Sequence, residues 1–246
     1  MNSNQARISL RDASLAFLGA WLVGNLAAGA VLSASGKDAV AEAGHGWLVG
    51  ISVAQWLPML VALWLLGRRL GSSNFSADSF FNVYGFDVYG LSFRPIDLVG
   101  IPIGVVTQLA LVPLLYLPLE SIWPASFSDD EIEKRARELY GNPSSVSLVL
   151  LILVVVVGAP LVEELVYRGL LQGALGRTLH QWRGWLAMVL VAALFALVHF
   201  SPVEYPGLFL VGLVLGICAL RTGRLGMGIL THAAFNAAAL AVVARS

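Results

Sequence analysis

Charge is scarce in this chain. Asp, Glu, Lys and Arg make up 12% of the residues against 58% hydrophobic, where soluble domains carry roughly one-quarter charged residues. With a mean hydropathy of +0.79, that balance excludes an ordinary water-soluble globule and implies several membrane helices. The net charge is zero and no basic cluster exceeds the pair Arg68-Arg69, so there is no electrostatic footprint for nucleic acid. A single cysteine, Cys218, lies in an apolar stretch; this excludes a disulfide framework and a cysteine-based metal site, and we expect the thiol to pack. Also missing are the G-x-S-x-G elbow of serine hydrolases and the H-E-x-x-H helix of zinc proteases. No internal repeat relates two halves of the chain, which argues against many transporter folds.

What is there is a succession of apolar runs, and the expected fold class is all-α, a polytopic integral membrane bundle of about seven helices. The first run, Ala13 to Ser33, follows Arg7 and Arg11 as a signal peptide would. A signal core is typically 7–15 residues, whereas about 20 span a core of about 30 Å, so we read it as a retained helix. The further runs are Trp47 to Leu66, Ile96 to Leu117 with Pro102 and Pro113 inside, Leu148 to Leu175, Trp185 to Phe200, Leu208 to Leu220 and Leu225 to Val243. The sixth is the shortest and its full span the least expected. Residues 1–145 read as amino-terminal membrane helices, and 146–243 as a catalytic core. Ser72 to Pro95 is rich in Phe and Tyr, including Phe86 and Tyr89, and is expected at the headgroup level. Ser128-Asp-Asp-Glu131 has capping-box spacing, predicting a short amphipathic surface helix that Gly141-Asn142-Pro143 ends. His45 and His180 read as solvated loop residues. Arg7, Arg11, Arg68, Arg69, Arg94, Arg177, Arg183, Arg221 and Arg224 gather on one side of this arrangement, predicting that side and the amino terminus to be cytoplasmic.

Against this background Gly158-Ala-Pro-Leu-Val-Glu-Glu-Leu-Val-Tyr-Arg-Gly169 is out of place. An ionisable residue at hydrocarbon depth costs a few kcal/mol unless it is paired or faces a polar cavity. Glu164, Arg168 and Gln172 fall at i, i+4 and i+8, so Arg168 neutralises Glu164. Glu163 is left without a local cation. At about 1.5 Å per residue, Glu163 lies roughly 18 Å from the cytoplasmic end of its helix; His199 lies about 22 Å in, His232 about 9 Å and Asn236 about 15 Å. Three helices therefore predict one buried polar pocket. Phe195 with His199, and His232 with Asn236, are i, i+4 pairs.

Such a set suits amide hydrolysis, with Glu163 and His199 taking a proton from water and His232 and Asn236 stabilising the oxyanion. One carboxylate and two histidines, Glu163, His199 and His232, are also a known catalytic Zn²⁺ set. Both readings stand, with no required cofactor weighed above zinc. A structural reading stands beside them, because a buried Glu164–Arg168 pair is more often structural than chemical and a membrane histidine often only bonds its neighbours.

At these residues the sequence resembles the CAAX prenyl protease type II and bacteriocin-processing group of intramembrane peptidases, also called the Abi or lysostaphin-resistance group. Its E-E-x-x-x-R pattern is Glu163-Glu164-Leu-Val-Tyr-Arg168, its F-x-x-x-H pattern Phe195-Ala-Leu-Val-His199 and its H-x-x-x-N pattern His232-Ala-Ala-Phe-Asn236. The resemblance covers about Val146 to Ala239. It implies catalytic positions at Glu163, His199, His232 and Asn236, a supporting pair at Glu164 and Arg168, and a packing position at Phe195. It implies a peptide or membrane-protein substrate, and a place in a lipid bilayer, read as a bacterial cytoplasmic membrane. A non-catalytic scaffold or immunity protein is the alternative, and a transporter or proton relay is a more distant one.

Overall fold

The computed structural model describes residues 8–38, 42, 44–70, 86–127, 145–179 and 184–243. The expected amphipathic helix at 128–140, most of the aromatic loop and His180 lie outside the described residues.

Among the described residues there are seven principal helices: α1 (Leu10–Ala34), α2 (His45–Leu70), α3 (Pro95–Ile122), α4 (Val146–Thr178), α5 (Gly184–Leu197), α6 (Tyr205–Thr222) and α7 (Gly226–Val243). Among the described residues there is no strand. Six of the seven are long and apolar enough to cross a membrane; α5 is shorter. The order of expectation is thus reversed, since α6 extends to 18 residues while the fifth run stops at Leu197 after 14. His45 opens α2 rather than lying in a loop.

Local chemistry explains the ends. Ser9 caps α1 by accepting from the Asp12 amide at 3.0 Å, with Asp12 favourably placed in the first turn. Gly223, at φ 64°, ends α6 in the left-handed conformation that glycine adopts cheaply. Proline sets the interior irregularities. Pro113 and Pro160 lack an N–H and crowd the carbonyl four residues earlier, and both follow a π-helical turn, Thr107–Leu111 and Ile152–Gly158.

Large apolar side chains cover the outside, and a set of polar groups is buried within the apolar core. Leu22, Leu26, Leu57, Leu114, Leu117, Leu153 and Val157 are exposed, whereas Asp97, Thr107, Glu164, Arg168, Gln172, Thr231 and His232 are buried. In lipid there is no hydrophobic drive between helices, so close packing on small residues and internal polar bonds must hold them. That is what occurs. Gly100 and Gly104 of α3 lie against the Met227 and Thr231 backbone of α7, where an added Cβ would overlap main-chain atoms. Gly24 of α1 meets the Gln55 carbonyl of α2, and Gly158 of α4 lies under the Trp56 ring. Helix α4 is the hub, contacting α1, α2, α5, α6 and α7.

Tyr89 departs from the expectation of an interfacial loop. It is fully buried, donates to the Leu63 carbonyl at 2.7 Å, and sits against Gly169, where a side chain would collide with it. Burial pushes its hydroxyl above the ordinary tyrosine range. A second anchor joins the start of α3 to the α6–α7 turn. Asp97 is buried and accepts from Arg224 at 2.6 Å and from the Arg94 amide at 2.7 Å. Sequence reading counted Arg224 only as a cytoplasmic charge and passed over Asp97.

Candidate active site

Three helices carry the polar cluster, and π-helical winding of α4 arranges its share. Glu164–Gln172 is a π turn, wider than the 3.6 residues of an α turn. Positions four apart are thereby brought nearer to eclipse, and Glu164, Arg168 and Gln172 form a row, all buried. Arg168 pairs with Glu164 at 2.9 Å and also donates to the Gly212 carbonyl at 3.1 Å. Gln172 donates to the Gly216 carbonyl at 3.2 Å. Two side chains four apart on α4 thus meet two glycines four apart on α6. The guanidinium lies over the Phe195 ring at 4.7 Å and near Tyr167 at 5.9 Å, a contact that favours the cation.

His232 of α7 stands between the two neighbouring carboxylates. Its Nδ1 is 3.4 Å from Glu164 Oε1 and its Nε2 is 3.8 Å from Glu163 Oε2. The shorter contact lacks hydrogen-bond alignment, yet a carboxylate on that side favours a proton on Nδ1. Glu164 reaches this position because residue 228 is glycine, where a Cβ would come within 2.8 Å of its Oε2. The Glu163 side chain remains 23% exposed whereas that of Glu164 is fully buried, so the two adjacent acids occupy different environments. Glu163 is the one open to a reactant.

His199 departs from the expected placement. Helix α5 ends at Leu197, so His199 lies in the turn beyond it, and it is exposed rather than enclosed. The expected buried pocket is therefore open on this side. Its Nδ1 is 2.6 Å from the Phe195 carbonyl. A carbonyl only accepts, so Nδ1 carries the proton and Nε2 of the neutral ring presents a lone pair. The buried Phe195 ring touches both histidines edge-on, His199 at 4.9 Å and His232 at 5.9 Å between centroids.

Asn236 does something the sequence reading missed. Its Nδ2 donates to the Val155 carbonyl at 2.7 Å. The π turn gives the Ala159 amide to Val154, and Pro160 has no amide to give. Asn236 satisfies the carbonyl this leaves, with its second N–H still in hand. The signal was Pro160 itself, five residues after Val155. Cys218 packs as expected, buried with its sulfur 3.7 Å from the Thr231 hydroxyl.

Four of the six buried side-chain atoms lacking a hydrogen bond among the described residues belong to this cluster: Glu164 Oε2, Arg168 Nε, Gln172 Oε1 and His232 Nδ1. Unsatisfied buried groups call for explanation, and among the described residues they are concentrated here.

Residues 145–238, the stretch that contains this whole arrangement, match the family described as type II CAAX prenyl endopeptidase, Rce1-like. The matched segment runs from the start of α4 to Asn236 and just beyond, leaving α1 to α3 outside it. An uncharacterized 24.3 kDa protein of Escherichia coli is 30% identical over 98 residues, which are 39% of this chain and 45% of that protein. The chain therefore spans less than half the length of that relative in the match. No solved structure matches the chain.

Proposed function

We propose that this chain is an intramembrane endopeptidase that hydrolyses a peptide bond of a peptide or membrane-associated protein, in a bacterial cytoplasmic membrane with its amino terminus inside. The observation that carries this reading is the His232 ring set between buried Glu164 and part-exposed Glu163, within a segment of a protease family.

In the proposed reaction Glu163 and Nε2 of His199 orient a water, and Glu163 takes its proton as the oxygen attacks the carbonyl carbon. The second N–H of Asn236 and Nε2–H of His232 receive the oxyanion. With Nδ1–H facing Glu164, donation from Nε2 requires the ring to hold both protons. His232 and Arg168 then supply two cations to balance the two carboxylates. Glu163 returns its proton to the departing amine, and the new carboxyl and amino termini are complete.

Zinc would require several of these donors to converge on one ion. Among the described residues no three His, Cys, Asp or Glu side chains are gathered to hold a metal, and no step is routed through one.

The test compares peptide termini in membranes and medium of host cells carrying wild-type protein, Glu163→Gln, or neither, at equal insertion. Termini present only with wild type are expected, and they name the substrate. If wild type and Glu163→Gln match each other but differ from cells with neither, the chain acts as a scaffold and the proposal fails.

A further inference from the structure

Four glycines, Gly36, Gly44, Gly90 and Gly223, have positive φ, and among the described residues only one other residue does: Phe200, at φ 52°. Its place is the end of α5, whose last turn tightens as His199 and Phe200 donate to the Ala196 and Leu197 carbonyls. A left-handed residue after a helix is ordinarily glycine, because a Cβ is strained there. At the end of α6 this chain obeys that rule with Gly223. At the end of α5 it places an aromatic side chain instead, directly after His199.

Burial does not repay the strain, since Phe200 is 67% exposed. Its ring leans on Trp21 of α1, with centroids 6.2 Å apart and planes tilted by 36°. Inside this pair runs a second series of rings, Phe17 on Tyr167 at 5.9 Å, Tyr167 on Phe195 at 5.2 Å, and Phe195 on His199 at 4.9 Å. His199 is thus touched by the last ring of the buried series and followed directly in the chain by one ring of the exposed pair. A backbone held in a sparsely populated region beside a reactive group points to function. A lipid-facing phenylalanine would need no such conformation.

We propose that Phe200 and Trp21 form the subsite for a large apolar side chain, aromatic or branched aliphatic, next to the scissile bond, and so determine substrate specificity. This rests on the endopeptidase reading above. It also gives α1, which lies outside the family-matched segment, a part in recognition.

The test uses the full chain in lipid vesicles with a synthetic peptide mixture in which positions flanking the bond are varied among Leu, Phe, Ser and Asp. The readout is the ratio of kcat/KM for apolar over polar residues at each position. Wild type is expected to prefer Leu or Phe at one position adjacent to the cut by about tenfold or more. Phe200→Asn tolerates the left-handed backbone while removing the ring, and Trp21→Ala tests the partner without touching the turn. Each is expected to bring the ratio to about twofold or less, chiefly through KM, and Phe200→Leu to restore part of it. A purely structural defect would slow all peptides alike and leave the ratio intact, which would overturn the subsite. Glu163-dependent cleavage with unchanged preference in both variants overturns this inference alone. Absence of Glu163-dependent cleavage by wild type overturns the endopeptidase reading and this inference with it.

Discussion

Glu163 and Glu164 are neighbours in sequence yet differ in what surrounds them, and that difference is the basis for assigning them different work. Glu164 is enclosed and tied to Arg168, whose remaining bonds reach the α6 backbone. Removing one partner of a buried pair leaves an uncompensated charge and costs about 3–5 kcal/mol. Arg168→Met is therefore expected to lower thermal stability in detergent markedly, and a melting temperature equal to wild type would contradict the pairing argument. The i, i+4 spacing made this pair legible in the sequence. The position of His199 was not legible, because apolar residues flank it on both sides, at Val198 and Phe200, and nothing local announces that Phe200 takes a left-handed conformation. Nor was the bond from Asn236 to Val155, which depends on a carbonyl released on a different helix.

At the scale of the element, proline and glycine write the geometry. The π turn before Pro160 and the one spanning Glu164–Gln172 give α4 a winding that no apolar periodicity reveals, since an apolar run reads alike in either form. Hydropathy therefore located the helices but could not distinguish their winding. Glycine contacts were equally hidden, because Gly100 and Gly104 matter only through the α7 backbone opposite them. Gly104→Leu is expected to force α3 from α7 and to cost at least about 1–3 kcal/mol, the range for overpacked interiors. Thermal unfolding followed by tryptophan fluorescence measures this, and an unchanged midpoint would show that α3 is not seated there. Asp97 escaped notice for a related reason: a lone acid near a helix start reads as solvated until Arg224 arrives from a distant turn.

For the whole molecule, the family-matched stretch is not self-contained. Tyr89 lies against Gly169, Asp97 holds Arg224, and α1 contributes Phe17 to the ring series reaching His199. The amino-terminal helices thus brace the site from outside the recognised segment. The distribution of Arg and Lys predicts the side each connection occupies. With Cys218→Ala as background, an impermeant maleimide added to intact cells is expected to label Ser35→Cys, after α1, and to spare Arg69→Cys, at the end of α2. The opposite pattern would invert the orientation.

The central claim is that Glu163 activates water without a metal. Its most direct measurement is the turnover of purified protein in lipid vesicles, in chelator-treated buffer, on the peptide whose termini identify it in cells. Wild type is expected to keep its rate within about twofold after chelation, while Glu163→Gln falls by at least about 10²-fold, the lower range for a general base. A Glu163→Gln rate near wild type, or a chelated wild type revived only by Zn²⁺, would contradict it.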